Sequence, residues 1–384
     1  MGLAWLKKVA LFVEKKQKGI FTYSVDAQKA YLAHFPEPKD ELDRSYFQYC
    51  CQMQRSIVPI RLLFNLAALP MSVLFLLKYS RKTADVTVSP ADCVYIRYDL
   101  PENIIPDSLR QQYPAMVSVT APENHLDRED IAFLKKMFKR YPFSWQLWLK
   151  TIVKVSQYSD TIRKYAPAAI VSCDEYSFTS SAVTAYCRSK GVKRINAMHG
   201  EKMYYIRDSF MEYDAYYVWD VHYVDLLTEL RASKEQFRVE LPQSMRLPER
   251  DDISIQYDYT CYLQSEKEET LKRLAKALGS LHKKGCRISV RPHPRYSNMA
   301  LVTSLFDFAN IEDCKAVNIE RSLLQTGAVV SLYSTVLNQA VCNDIPIVID
   351  DISNPERFNK LKELKYICLN KDHKLLSEIT GETQ

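Results

Sequence analysis

The stretch AAIVSCDEYSFTSSAVTAYCRSKGVKRINAM, residues 168–198, decides the fold. Two short apolar runs, Ala168–Ser172 and Arg194–Met198, flank a segment with helical periodicity, Ser177–Lys190, and Gly191 supplies a stop for that helix. Apolar strands that alternate with helices are typical of a parallel sheet with crossover helices. The stretch therefore predicts a βαβ unit of an α/β protein.

The same alternation continues toward the C-terminus. Further strands are predicted at Ala215–Trp219, Tyr259–Leu263, Arg287–Val290, Ala328–Leu332, Pro346–Ile349 and Tyr366–Leu369, and further helices at Val221–Ala232, Ser265–Lys284 and Val336–Cys342. Ser265 and Glu268 have the spacing of a capping box. Residues 241–252, with two prolines and a run of acids, are interpreted as a linker. The sequence thus predicts two Rossmann-like domains, 1–240 and 253–384, with a cleft between them.

Composition narrows the function classes. Of the 384 residues, 47% are hydrophobic and 26% charged, which is typical of a folded protein. Only 8 are glycine, and neither GxGxxG nor GxxxxGK[ST] occurs, which argues against a Gly-rich phosphate loop. The net charge of +6 fits an anionic small molecule or a lipid surface better than a nucleic acid. The 10 cysteines have no zinc spacing, and no secretory signal is recognised, so we expect reduced thiols in the cytoplasm and no metal or cofactor.

Three segments of the first 155 residues are candidates for a membrane surface. Met1–Phe21 has the pattern of a basic amphipathic helix. Leu62–Leu77 is the most apolar run; it falls short of the roughly 20 residues of a spanning helix, so a buried helix is favoured over an interfacial one. Asp130–Val155 mixes lysines with aromatic residues. We expect the N-terminal domain to lie peripherally on a membrane.

Polar residues follow several of the predicted strands. In open parallel sheets, ligands bind beyond the carboxyl ends of the strands. Asp174 and Glu175 follow the run that ends at Ser172, and either can serve as a general base or merely favour the start of a helix.

A histidine and a glycine follow the next strand. His199 is a candidate base, and Gly200 indicates a tight turn or the close approach of a ligand. Lys202 is a candidate partner for an anion, and a plain charged turn is the alternative.

The second half carries a basic, proline-rich segment. Arg291, Pro292, His293, Pro294 and Arg295 directly follow a predicted strand. Because two prolines restrict the backbone around one imidazole, the side chain is held at low entropic cost. Guanidinium groups suit phosphate, so the segment predicts a phosphate site around His293.

Hydroxyl side chains follow the strand after that. Ser331, Ser334 and Thr335 precede a helix, and Asn338 lies one turn further along it. Ser334 is a natural N-cap, and a helix N-terminus with hydroxyl groups can bind an anion. Together with His293, these residues predict a phosphate-binding site for a nucleotide.

The last two motifs resemble those of a known enzyme class. Arg291–Pro294 resembles the HP motif of bacterial GT-B sialyltransferases and capsule polymerases, and Ser331–Thr335 resembles their Ser/Thr motif. The His199–Gly200 step resembles that of transferases that use CDP-polyols. The resemblance covers about residues 168–351 and implies that His293, Ser334 and Thr335 contact the donor phosphate and that no metal is needed. Asp174–Glu175 is followed by Tyr176 and not by the glycine of the sialyltransferase acidic motif, so the base stays open between these acids and His199.

The resulting expectation is an inverting glycosyltransferase that moves sialic acid from a CMP-activated donor to a glycan or glycolipid acceptor. It would act in bacterial surface polysaccharide or lipooligosaccharide synthesis, peripherally at the inner face of the cell membrane. The catalytic candidates are His199, Asp174, Glu175 and His293. The donor-binding candidates are Arg291, Pro292, Arg295, Ser331, Ser334, Thr335, Asn338, Gly200 and Lys202, with Asp350 and Asp351 as candidate partners of a sugar or ribose hydroxyl.

Three other functions fit the same residues. One is a CDP-polyol phosphotransferase with His199 as its base. The second is a nucleotide-sugar epimerase, which would release a free sugar without an acceptor. The third is a membrane-associated scaffold without catalytic activity.

Overall fold

The computed structural model of the chain describes residues 19–80, 88–249 and 253–381. Contacts divide the chain into two compact units. Unit 1 comprises Met1–His199 and Tyr204–Gln243, and unit 2 comprises Gly200–Met203 and Ser244–Gln384. The division after Gln243 falls inside the segment interpreted as a linker. The helix expected at Met1–Phe21 lies, up to residue 18, outside the described residues.

Unit 1 is a parallel sheet surrounded by helices. Its strands are Cys93–Ile96 (β1), Met116–Val119 (β2), Ala169–Ser172 (β3), Lys193–Ala197 (β4), Ala215–Val218 (β5) and Phe237–Val239 (β6). Its helices are Val25–Leu32 (α1), Glu41–Met53 (α2), Val58–Tyr79 (α3), Asp107–Gln112 (α4), Arg128–Arg140 (α5), Trp145–Tyr165 (α6), Ser180–Ser189 (α7) and Val221–Glu229 (α8). The sheet begins with β1 and β2, which precede the first strand that the sequence pattern predicts.

The strand order of unit 1 is β2-β1-β3-β4-β5-β6, and every pair is parallel. Side chains alternate between two cores: Val94 and Ile170 pack on one face of the sheet, and Tyr95 and Val171 pack on the other. Burial on both faces explains the continuous apolar runs of the sequence. The order reverses between β1 and β3, and this is the position at which open α/β sheets bind ligands.

Unit 2 has a second parallel sheet. Its strands are Tyr257–Tyr262 (β7), Ile288–Arg291 (β8), Asn310–Ile311 (β9), Thr326–Ser331 (β10), Ile347–Ile349 (β11) and Lys374–Leu375 (β12). Its helices are Glu268–Lys283 (α9), Met299–Leu305 (α10), Ile319–Leu324 (α11), Thr335–Val341 (α12), Pro355–Glu363 (α13) and Leu376–Thr380 (α14). The order β12-β11-β10-β7-β8-β9 is the Rossmann order, with its reversal between β7 and β10.

Gly327 allows the two central strands of unit 2, β7 and β10, to lie close together. A Cβ atom at Gly327 would lie 3.0 Å from the backbone oxygen of Asp258. Since this oxygen belongs to the neighbouring strand β7, a side chain would push apart the two strands that frame the reversal of order.

Two sequence expectations for unit 2 are wrong. Helix α9 begins at Glu268, and its N-cap is Lys267 and not Ser265, because the Glu266 carboxylate accepts the backbone N–H of Gln264 at 2.7 Å and holds a turn before the helix. The run that starts at Tyr366 is not a strand; a 3₁₀ turn follows at Ile367–Asn370, and β12 comes later. A short apolar run does not distinguish a strand from a buried turn.

The prediction of a buried helix at Leu62–Leu77 is also wrong. The segment forms most of the 22-residue helix α3, which is long and apolar enough to cross a membrane by length and composition. Every exposed residue from Val58 through Leu77 is apolar. Periodicity does not reveal this exposure, because a helix that is apolar all round is normally buried.

Asp130–Val155 falls on α5 and α6. Trp148 and Phe138 pack together against the core with ring centroids 4.6 Å apart, so these aromatic residues do not form a surface. Phe143, in the loop between the helices, is 78% exposed.

Candidate functional site

The candidate base residues lie at one edge of the unit 1 sheet. Asp174 and Glu175 follow β3, and His199 follows β4. Strands β3 and β4 are parallel, and Ser172 pairs with Asn196, so the two loops leave the sheet side by side. Asn196 joins the loops, since its side chain accepts the Asp174 N–H at 3.1 Å and donates to Glu175 Oε2 at 3.3 Å.

Asp174 is the counterion of a buried arginine. Arg194 of β4 is fully buried, and its Nη2 lies 2.5 Å from Asp174 Oδ1. Although burial raises the pKa of Asp174, the charges of Arg194 and Lys154 outweigh it and hold this pKa below its usual value. Asp174 is therefore an ionised structural partner, and the expected role as a general base has no support in its contacts.

Glu175 instead faces His199. Its Oε1 lies 3.1 Å from His199 Nδ1, a separation typical of an ion pair, although the two groups lie outside hydrogen-bond alignment. The Glu175 side chain has no exposed surface, whereas that of His199 is 21% exposed. A carboxylate at Nδ1 favours the proton on that nitrogen, so Nε2 is left to accept one. Of the three candidates, His199 has both the exposure and the partner of a base.

Gly200 and Lys202 belong to unit 2 by their contacts. Lys202 is buried, and its Nζ donates to the Gly200 carbonyl at 2.9 Å. The side chain is thus turned into the fold, which differs from the exposed anion partner that the sequence suggests.

The basic segment of unit 2 divides into a buried part and an exposed part. Arg291 is buried and donates from Nη1 to Glu312 at 2.7 Å and from Nη2 to the Val317 carbonyl at 2.9 Å. Its contacts tie β8 to the chain beyond β9, so they explain Arg291 as a support of the loop. Pro292 is buried as well, whereas Arg295 is exposed.

His293 is held in one orientation and one tautomer. Its backbone N–H donates to Ser297 Oγ at 2.8 Å, and its ring stacks on Tyr296 with centroids 4.5 Å apart. Nδ1 accepts the backbone N–H of Arg295 at 3.1 Å, which places the ring proton on Nε2. Burial and the nearby Arg295 charge lower the pKa of His293, so at neutral pH it is a neutral imidazole with one N–H left to donate.

The hydroxyl groups that follow β10 have different roles. Ser331 is buried and donates to the Tyr262 carbonyl at 2.9 Å, which links β10 to β7. Ser334 caps α12 by accepting from Val336 N at 3.2 Å, and Thr335 is the half-buried first residue of that helix. Asn338 is buried inside the unit.

Gln264, which sequence analysis missed, joins the two motifs. It follows β7, and its Nε2 donates to Ser334 Oγ at 3.1 Å while its carbonyl accepts from Ser297 Oγ at 3.4 Å. Because Ser297 also accepts from His293 N, a chain of hydrogen bonds runs from Ser334 to His293 across the reversal of strand order. We call His293, Ser297, Gln264 and Ser334 the unit 2 cluster. Its position directly after the first strand of a Rossmann unit was the available signal for Gln264.

Tyr366 supports Ser334 of the unit 2 cluster. The hydroxyl of Tyr366 accepts the Ser334 N–H at 3.0 Å and donates to the Ser334 carbonyl at 3.1 Å.

Asp350 and Asp351, the expected partners of a sugar, bind Ser353 and Ser377 respectively and so close loops of the fold. Within the described residues, no group of three or more His, Cys, Asp or Glu side chains could hold a metal ion.

Comparison with known proteins gives likeness of structure only. No family model and no curated protein matches the chain. Among solved structures, UDP-GlcNAc 2-epimerase from Neisseria meningitidis bound to UDP-GlcNAc has a TM-score of 0.41 at 11% identity, over 69% of this chain and 84% of that one. UDP-N-acetylglucosamine 2-epimerase from Rickettsia bellii has a TM-score of 0.44 at 13% identity, over 77% of this chain and 89% of that one. The wall teichoic acid polymerase TagF, soaked with CDPG, has a TM-score of 0.44 at 11% identity, over 84% of this chain and 86% of that one.

The two sheets define the fold class. Two α/β units, each with six parallel strands, confirm the expected pair of Rossmann-like domains and make the chain GT-B-like. At identities this low, the similar structures carry no residue roles to this chain, so function depends on the chemistry of its own residues.

The two arginines of the basic segment yield a prediction. Arg291→Met leaves Glu312 buried without its counterion, so we expect unit 2 to lose about 3–5 kcal/mol of unfolding free energy. Arg295→Met removes an exposed side chain, and we expect a change within about 0.5 kcal/mol. Urea unfolding followed by circular dichroism measures both. Equal stability of the two variants would contradict the supporting role of Arg291.

Proposed function

We propose that the chain is a transferase that moves a group from a nucleotide-activated donor to an acceptor hydroxyl, with a CDP-polyol as donor. The observation that carries this proposal is the pairing of His199 with buried Glu175, while Asp174 is occupied by Arg194. A histidine base after β4 matches the CDP-polyol transferases that the His199–Gly200 step resembles. An acidic base, as in the sialyltransferases, would have to come from a carboxylate that is either ion-paired or fully buried.

His293, Ser334 and His199 each have one proposed role in the reaction. In unit 2, His293 Nε2–H and the Ser334 hydroxyl donate to the donor phosphate, which stabilises charge as CMP leaves. In unit 1, His199 Nε2 takes the proton of the acceptor hydroxyl, and Glu175 stabilises the resulting imidazolium. The acceptor oxygen forms a bond to the β-phosphorus, the bond from that phosphorus to the oxygen of CMP breaks, and the polyol phosphate is transferred.

Transfer of sialic acid from a CMP-activated donor stays a second proposal. It uses the same unit 2 cluster, but the acceptor oxygen would attack the anomeric carbon of the sugar. A donor screen separates the proposals: CDP-glycerol, CMP-sialic acid and UDP-GlcNAc are incubated with the protein and glycan acceptors, and released nucleotide is quantified. Free sugar released from UDP-GlcNAc without an acceptor would favour an epimerase, and binding of none of the three would favour a scaffold.

The assignment of His199 and Glu175 yields a prediction. We expect Glu175→Gln and His199→Ala to lower turnover of the active donor by about 100-fold or more, because a positioned base contributes at least that much. Nucleotide affinity, measured by calorimetry, should not change.

Asp174→Asn is the matched control. It removes the counterion of a buried arginine, so we expect a loss of about 3–5 kcal/mol in unfolding free energy. If Asp174→Asn abolished turnover at unchanged stability while Glu175→Gln stayed active, the base would be Asp174 and the assignment would be wrong.

We propose also that unit 1 lies on an anionic lipid surface through α3. One side of this helix is fixed on the fold: Asn65 donates to the Phe143 carbonyl at 2.8 Å and accepts from Gln146 N at 3.0 Å, and Ala68 and Ser72 are buried. Its other side is apolar from Val58 through Leu77, which is about 30 Å at 1.5 Å per residue. A helix packed along one side supports attachment in the plane of the membrane over a crossing of it.

Its composition favours lipid over a second protein as the occupant. Among its exposed positions, from Val58 to Leu77, there is no Arg, Tyr, Trp or Phe, and Met71 alone is of a type enriched at protein interfaces. Exposed Phe143 lies beside Asn65, and exposed Lys135, Lys136 and Lys139 lie on α5, which leads into the Phe143 loop. This combination of aliphatic, aromatic and basic residues fits a headgroup layer that contains anionic lipids.

The membrane proposal yields a prediction. Leu63 and Leu74 are 65% and 66% exposed, so Leu63→Glu with Leu74→Glu should leave the fold intact and abolish flotation with phosphatidylglycerol vesicles at low salt. Val221→Glu, at a position 62% exposed on α8, is the control and should still float. Flotation of all variants alike, or dimerisation through α3 without vesicle binding, would contradict the proposal.

A further inference from the structure

The reversal of strand order in unit 1 has its own cluster of charged residues. Tyr98 lies two residues beyond β1, and Asp174 lies two residues beyond β3. Because β1 pairs with β3 with Tyr95 opposite Val171, Tyr98 and Asp174 leave the sheet at the same level. Lys154 of α6 bridges them, with Nζ 2.8 Å from the Tyr98 hydroxyl and 3.8 Å from Asp174 Oδ2.

A second lysine lies one helical turn earlier. Lys150 is half-buried, and its Nζ lies 4.1 Å from the centre of the Phe178 ring. In the described part of the chain, no carboxylate lies within ion-pair distance of it. Placing Lys150 and Lys154 four residues apart on one helix is unfavourable, because like charges at this spacing repel.

The local charges do not balance. Three cations, Arg194, Lys154 and Lys150, lie near the Asp174 carboxylate, and the neighbouring Glu175 carboxylate faces His199. Burial and the charge of Lys154 lower the pKa of Lys150 to about 8, so the excess charge is costly in the free protein. An incoming anion would remove this cost.

The backbone here is also unusual. Tyr98 has φ of 50°, in the left-handed region that residues other than glycine seldom adopt. This conformation directs a tyrosine hydroxyl to Lys154 at the loop where an open α/β sheet binds its ligand. Strained residues of this kind cluster at ligand sites.

From this placement we propose that Lys150 and Lys154, with Tyr98 positioning the Lys154 ammonium, form a binding site for a phosphate group of a substrate. In terms of the proposed function, on which this step rests, the phosphate belongs to the acceptor, so the acceptor would be a phosphorylated polyol or a glycolipid phosphate. The ammonium groups supply charge-assisted hydrogen bonds. The Tyr98 hydroxyl accepts from Lys154 and donates to Gln157 Oε1 at 3.3 Å, so it holds the Lys154 ammonium in position. The site is distinct from the unit 2 cluster, which takes the phosphate of the nucleotide.

The test is calorimetric titration of the full chain with sn-glycerol 3-phosphate, and with glycerate as a carboxylate of similar size. We expect Lys150→Met and Lys154→Met each to weaken glycerol 3-phosphate binding about tenfold or more. Lys193→Met, at an exposed position on β4, should bind as the native chain does. Tighter binding of glycerate than of glycerol 3-phosphate would overturn the assignment of a phosphate.

Two further measurements distinguish this site from the unit 2 cluster and from a purely structural role of Lys150. His293→Ala should keep glycerol 3-phosphate binding and lose that of CDP; if it lost both, the probe would be reporting unit 2 and the proposal would fail. Lys150→Met should not lower the midpoint of thermal unfolding, because it removes a repulsion. A lower midpoint with unchanged binding would show a merely structural lysine. Intact probe binding in a chain that turns over no donor would leave this site standing while the proposed function fails.

Discussion

All strands of both sheets are parallel, and this one constraint determines where chemistry can occur. Parallel pairing brings every loop that follows a strand to the same edge, and a reversal of strand order separates two neighbouring loops there. In unit 2 the reversal lies between β7 and β10, and Gly327 permits the close approach of these strands. The loops that carry Gln264 and Ser334 therefore meet, and Ser297 extends the contact to His293.

One buried arginine determines which partners the charged residues of unit 1 have. Arg194 has no exposed surface and must be neutralised, and Asp174 does this from the next loop. The neighbouring Glu175 is then left to His199, so two adjacent carboxylates have different tasks. Because Arg194 neutralises Asp174, Lys150 and Lys154 lack a full negative partner. A base at His199 and an anion site at the two lysines can therefore lie close together in the same unit.

The sequence predicts much of the architecture because the β strands are buried on both faces. The apolar runs near residues 170, 195, 216, 260, 289, 329 and 348 all coincide with strands. It fails where burial is not periodic: α3 is as apolar as a core helix but exposed, and the run after Tyr366 is a buried turn that braces Ser334. Strands β1 and β2 are missed although each has the same four-residue length as β3, and β2 is only partly buried, so its apolar pattern is weak.

The site residues divide in a similar way. Position after a strand identifies His199, His293 and Ser334, because the sheet alone brings them to an edge. Position after a strand does not distinguish Asp174 from Glu175, or Arg291 from Arg295. The structure does: Asp174 pairs with Arg194, and Arg291 pairs with Glu312, so these two residues support the fold. Gln264 and Lys150 carry no motif and are found only through their contacts.

The proposed reaction depends most on the unit 2 cluster binding a nucleotide phosphate. Calorimetric titration of the native chain and of His293→Ala with CDP tests this directly, with His282→Ala of α9 as the control histidine. We expect saturable binding by the native chain and by His282→Ala, and about tenfold or more weaker binding by His293→Ala, because a hydrogen bond to a charged group contributes roughly that much affinity. Equal affinity of the native chain and His293→Ala, or no binding of CDP by the native chain, would contradict this role of the cluster.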